Sequence, residues 1–148
     1  MTDTDQITVD AIVDAPPDAA WRSYTSAEEI VRWNQATPEW HCPSAEVELR
    51  EGGAYSARME ARDGSMGFDF AGTYEEVDAP RALTLRLEDG RRVRTTFEPS
   101  GTGTRVRTVF DADATSPADM QRDGWQAILD SYRDHVAQLE ATGPEAPE

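Results

Sequence analysis

Lysine is missing from this chain. All 14 basic residues among its 148 are arginine, and against 29 acidic residues they leave a formal net charge of −15. Such a surface repels phosphate backbones and anionic membranes, so nucleic acid is not an expected partner. A single cysteine, Cys42, excludes an internal disulfide. Histidine is limited to His41 and His135. No apolar run approaches the length of a membrane span, and the opening MTDTDQ does not read as a signal peptide. The expectation is a cytoplasmic protein with no membrane insertion. Three explanations of the acidic, lysine-free composition stay open: solubility, a salty cytoplasm in which screening relieves self-repulsion, and a GC-rich genome.

Motifs of catalysis are also lacking. There is no G-x-S-x-G elbow, no phosphate loop and no G-x-G-x-x-G. Strand parity points Asp10, Asp14, Glu46, Glu48, Glu60, Asp69, Glu75, Glu88, Glu98 and Asp111 to one side, away from the apolar face. Only Glu76 shares the inward phase. General acid–base work needs paired groups of tuned pKa inside a site, and none is visible. His41 and Cys42 are adjacent but have no third partner at metal-site spacing. No catalytic residue, metal or cofactor is assigned.

What is present is regular. Gln6 to Val13 alternates, with Ile7, Val9, Ala11 and Val13 on one face. Ala15-Pro16-Pro17-Asp18 stops that strand and opens a short helix through Trp21 to Tyr24. Ser26 to Glu29 reads as a capping box for a second short helix carrying Ile30 and Trp33 inward. Asn34 to Pro43 has no period and is expected to be a loop. A meander follows, with turns at Gly52-Gly53, Asp63-Gly64, Asp89-Gly90 and Ser100 to Gly103. Its apolar faces hold Ala45, Val47 and Leu49, then Tyr55, Ala57, Met59 and Ala61. Met66, Phe68, Phe70, Gly72 and Tyr74 come next, and then three shorter runs ending at Phe110.

The last element is a long amphipathic helix from Ser116 to Thr142. Its stripe is Trp125, Ile128, Leu129, Tyr132, Val136 and Leu139. Ser116 is its expected N-cap, with Pro117 at the first helical position, and Gly143-Pro144 its expected stop. A one-faced helix after antiparallel strands has the inner sheet face as its partner. Residues 1–142 thus read as one domain and 143–148 as a frayed tail.

Several stretches are similar to a known family. They are D-A-P-P-D-A-A-W (14–21), W-H-C-P (40–43), E-L-R-E-G-G (48–53), M-E-A-R-D-G-S-M-G-F-D-F-A-G-T-Y (59–74), L-E-D-G-R (87–91) and M-Q-R-D-G-W-Q-A-I-L-D (120–130). In order along nearly the whole chain, they resemble the SRPBCC (START-like, birch-pollen-allergen-like) superfamily. Within it, the resemblance is to bacterial single-domain proteins related to the C-terminal domain of the activator of heat-shock protein 90 ATPase. It implies an α+β helix-grip fold: a bent antiparallel sheet of about six to seven strands around a long C-terminal helix, with two short helices after the first strand. That superfamily includes carriers, receptors, cyclases and oxygenase subunits, so fold alone does not give chemistry.

Large rings on both walls, with small Ala57, Ala61 and Gly72 between them, suit a cavity for a flat or greasy molecule. The expected ligand-binding residues are Trp33, Trp40, His41, Tyr55, Met59, Phe68, Phe70, Tyr74, Trp125, Leu129 and Tyr132. The leading expectation is a binding protein for a small apolar or aromatic, lipid- or polyketide-like ligand, a monomer or weak dimer. A second reading is a cyclase- or hydrolase-like enzyme in which His41, Tyr55 or Tyr74 positions a carbonyl. A third is a chaperone-interaction module; the chain holds only the equivalent of the activator's C-terminal domain, which weighs against ATPase stimulation. His135, on a charged flank of the helix, is expected at the surface.

Overall fold

Alternation of apolar and polar residues makes a strand that is wet on one side, and seven such strands here share one antiparallel sheet. The computed structural model describes residues 6–35, 38–88, 90–112 and 117–142, with side chains through Gln138. Its order is β1 (Gln6–Val13), α1 (Pro17–Thr25), α2 (Ala27–Trp33), β2 (Trp40–Val47), β3 (Ala54–Ala61), β4 (Gly67–Asp78), β5 (Ala82–Leu87), β6 (Arg92–Ser100), β7 (Gly103–Asp111) and α3 (Ala118–Thr142). The strands lie side by side as β1-β7-β6-β5-β4-β3-β2. This is the expected helix-grip fold. The sheet curls, and α3 lies along β1 and packs against α1 and α2.

The period-2 pattern transfers directly to burial. Ile7, Val9, Ala11 and Val13 are buried on β1, as are Leu83, Leu85 and Leu87 on β5 and Val93, Thr95 and Phe97 on β6. The glycines at the tight turns take the left-handed conformation, with φ of 85° at Gly52 and 80° at Gly64. Leu129, Tyr132 and Val136 of the helical stripe are buried. Tyr132 joins three helices: its ring meets Tyr24 and Trp33 edge-on at 5.2 and 5.1 Å. Its hydroxyl donates to the Ala20 carbonyl at 2.6 Å. Pro17 opens α1 as expected.

Six sequence expectations are corrected. Trp40 to Pro43 is not a loop but the start of β2, whose pairing with β3 slips between His41 and Ser44. That irregularity hides the period. The capping box at Ser26 does not form; Ser26 makes no side-chain bond to α2. Glu29 instead meets His135 Nε2 at 2.9 Å, so His135 is largely buried against α2 rather than exposed. Glu76 does not face inward. A second slip between Tyr74 and Glu76 places Glu75 and Glu76 both on the outer face. There Arg92 Nε meets Glu75 at 2.6 Å, and Arg94 Nε meets Glu76 at 3.0 Å. Leu49 falls beyond β2 and Met66 before β4, and both are exposed rather than on the apolar face.

The outer face is otherwise laid out as its parity demands. Arg58 pairs with Glu60 and Asp69, and Arg105 pairs with Asp10. Exposed pairs of this kind contribute little singly. Gln126 of α3 donates to the Asp10 carbonyl of β1 at 2.9 Å. The expected Ser116 cap, the Asp89 turn position, the Leu139 side chain and the Gly143-Pro144 stop with its 143–148 tail lie outside the described residues.

Candidate ligand-binding pocket

Between the curled sheet and α3 lies a pocket of about 320 Å³. Its walls follow from strand parity. Tyr55 and Met59 of β3 and Phe68, Phe70 and Tyr74 of β4 form one side. Leu83, Leu85, Val93, Thr95 and Thr108 form the back, and Val9 adds the edge. Trp125, Ile128 and Leu129 of α3 face them, with Tyr24, Trp33 and Asn34 at the helical end and Arg91 beside the β5–β6 turn.

The rings are held by one another. Trp125 stacks on Phe110 with centroids 4.4 Å apart, and Tyr24 stacks on Trp33 at 5.2 Å. Across the inner surface, Tyr74 meets Tyr55 at 6.2 Å, Tyr55 meets Phe70 at 6.3 Å, and Phe70 meets Trp125 at 5.9 Å, all edge-on. Edge-on pairs at these separations are favourable and fix ring orientation. Trp33 is further locked by donating from Nε1 to the Ser23 carbonyl at 3.0 Å.

The polar groups divide into satisfied and unsatisfied. Thr95 and Thr108 hydroxyls lie 2.9 Å apart, and the Tyr24 hydroxyl joins them at 3.4 Å from Thr95. The hydroxyls of Tyr55 and Tyr74 form no hydrogen bond among the described residues. Burial pushes the Tyr55 phenol well above its ordinary pKa, with a further rise from Tyr24, Tyr74 and Cys42. Burial raises Tyr74 too, with Tyr24 adding to it. Both therefore stay protonated and remain donors at neutral pH. Among the described lining residues there is no carboxylate, imidazole or thiol, and no group of three metal-ligating side chains occurs among the described residues.

Of the residues expected from sequence, the pocket gathers Trp33, Tyr55, Met59, Phe68, Phe70, Tyr74, Trp125 and Leu129. Three are not brought in. Trp40 lies at the rim, edge-on to Phe68 at 5.9 Å. His41 sits opposite Glu60, with Nε2 3.9 Å from its carboxylate, on the side of the sheet away from the pocket. Tyr132 is fully buried, and its hydroxyl is committed to Ala20. Phe68 marks the mouth, half-exposed beside exposed Met66. The lining residues not singled out from sequence, among them Tyr24, Leu85, Val93, Thr95, Thr108 and Ile128, were legible only as inward-phase positions. Nothing in their spacing separates a pocket wall from a packed core.

No helix among the described residues is long and apolar enough to cross a membrane. Among curated proteins, none matches the chain. Solved structures do. The AHSA1-like protein of Aeromonas hydrophila is 37% identical, with a TM-score of 0.86 over 97% of this chain and 98% of that one. A protein of Cytophaga hutchinsonii is 36% identical, with a TM-score of 0.78 over 95% and 98%. One from Nitrosomonas europaea shares the fold at 18% identity, with a TM-score of 0.80 over 95% and 99%. The profile of the activator of Hsp90 ATPase homolog 1-like proteins matches residues 14–137. With its helix-grip architecture, this chain belongs to the activator of Hsp90 ATPase homolog 1-like family, within the SRPBCC superfamily.

Proposed function

We propose that this protein binds a small apolar or aromatic molecule in the pocket between the sheet and α3. One observation carries the reading: a ring-lined space of about 320 Å³ holding two phenol hydroxyls without a partner among the described residues. Both hydroxyls open onto that space rather than being sealed in the packed core. The volume stands at the lower end of the range for ligand sites, about 300–1,000 Å³. A compact ring compound or short acyl chain fits it better than a full-length lipid. Turnover by acid–base chemistry would need a proton-transferring pair at the same place, and the described lining offers phenols and Arg91. We take the protein as a cytoplasmic monomer or weak dimer that carries its ligand without cofactor or metal.

Native mass spectrometry of the gently purified protein tests this, followed by a thermal-shift screen of lipids and aromatic metabolites. A ligand at a hundred times its Kd stabilises the fold by about 2.7 kcal/mol, which is several degrees of Tm. The absence of both a co-purified mass and any shift across a broad library would defeat the reading.

Family membership favours a second one, contact with a heat-shock protein 90 chaperone. It predicts a complex or a change in chaperone ATPase rate at tens of micromolar protein. Absence of both would close it.

A further inference from the structure

The pocket is not uniformly greasy. Its rings run from Tyr74 through Tyr55 and Phe70 to Trp125 in successive edge contacts, so one end carries phenol hydroxyls and the other a phenyl ring and an indole. Tyr74 is buried, and neither its hydroxyl nor that of Tyr55 has a partner among the described residues. A phenol that opens onto the pocket and has no protein partner among the described residues can give its hydrogen bond to an acceptor on a ligand. The two rings come from adjacent strands, with Tyr55 opposite Gly72 and Tyr74 two residues on along β4.

Resting on the binding reading above, we infer that the pocket selects compounds bearing a neutral carbonyl-type oxygen, which accepts hydrogen bonds from Tyr55 and Tyr74 while the ring or chain lies against Phe70 and Trp125. Neutrality follows from the surroundings. An anion there would lose its water and gain only uncharged donors, and unpaired buried charge is expensive. Arg91 is the one cation among the described lining residues. Its carbonyl accepts the Leu87 N–H, and Gly72 and Leu87 stand between it and Tyr55 across the sheet, while Tyr74 lies opposite Leu85. The phenols keep their protons at neutral pH because burial raises both.

Three probes of one shape test the inference on the intact chain: 2-acetylnaphthalene, its hydrocarbon isostere 2-isopropenylnaphthalene, and 2-naphthoate. Quenching of tryptophan fluorescence reports binding, since Trp33 and Trp125 line the pocket. Infrared spectroscopy of the bound ketone reports the hydrogen bond directly. The ketone is expected to bind roughly three- to tenfold more tightly than the hydrocarbon for each bond formed. Tyr55→Phe and Tyr74→Phe each narrow the gap between ketone and hydrocarbon by one bond's share, and the double variant closes it. The carbonyl stretch moves to lower wavenumber in the wild type and reverts in the double variant. Equal affinity for ketone and hydrocarbon, unaltered by either variant, overturns this inference and leaves the binding reading standing. Tighter binding of naphthoate than ketone overturns the neutral class. Binding of none of the three removes the binding reading and the inference together.

Discussion

Tyr132 and Tyr74 bring the same side chain into the same interior, and their hydroxyls meet different things. That of Tyr132 donates to Ala20 at 2.6 Å, and the ring is fully buried. Tyr132→Phe leaves the Ala20 carbonyl without this donor and is expected to cost about 1–3 kcal/mol. Tyr74→Phe removes a hydroxyl that bonds nothing among the described residues, so its apo Tm should stay level or rise slightly. Paired thermal melts of the two variants separate the roles; an equal loss in both would contradict them. His41 makes a related point. With Nε2 facing Glu60 away from the pocket, His41→Ala should leave ligand affinity unchanged in a titration. Sequence placed Tyr132 and Tyr74 on inward phases alike, and only the position of the Ala20 carbonyl, 112 residues away in the chain, tells them apart.

At the scale of the element, the strands were legible because each has one wet face and one dry one. β1 spans Gln6–Val13 as its alternation reads. What escaped were the two slips in pairing, at His41/Ser44 and Tyr74/Glu76. One extra residue reverses parity from that point on, and no residue type announces it. The capping box failed for another reason: Glu29 meets a non-local partner, His135.

The slip in β4 also predicts an acid response. Arg92 holds Glu75 below the ordinary carboxyl value of 4.5, and Arg94 with Thr84 does the same for Glu76. A depressed carboxyl contributes stability that is complete above its ordinary pKa and is lost as pH falls through the folded value. Wild-type Tm should therefore drop on acidification below about pH 4.5 more steeply than that of Glu75→Gln/Glu76→Gln; parallel profiles would show that these pairs contribute nothing. Gly72 supplies a check on β4–β5 packing. A Cβ there would stand 2.6 Å from the Arg86 carbonyl oxygen and 3.0 Å from Leu85 Cγ. Gly72→Ala is expected to destabilise by about 1–3 kcal/mol in urea denaturation.

For the molecule as a whole, charge is the dominant long-range term. A net −15 on one chain destabilises the compact state by self-repulsion. Ion pairs such as Arg58–Glu60 offset part of it, but 29 acids against 14 arginines leave a large excess of negative charge. Raising salt to about 1 M shortens the Debye length to roughly 3 Å, and Tm should climb with it. A flat or falling Tm would detach the composition from any salt adaptation and leave solubility or genome bias as its source.

The sheet is open, with β1 at one border and β2 at the other, and a free strand border is a template on which another chain can grow. Neither border here is well suited to that. Along β1, α3 runs past and Gln126 has already taken the Asp10 carbonyl. In β2, Pro43 brings no N–H, the ladder slips around it, and the Cys42 thiol donates to the Ser44 carbonyl at 3.3 Å. The irregularity that obscured this strand in the sequence thus guards the molecule against strand-by-strand polymerisation, and Pro43→Thr should turn a quiet surface into one that seeds fibrils.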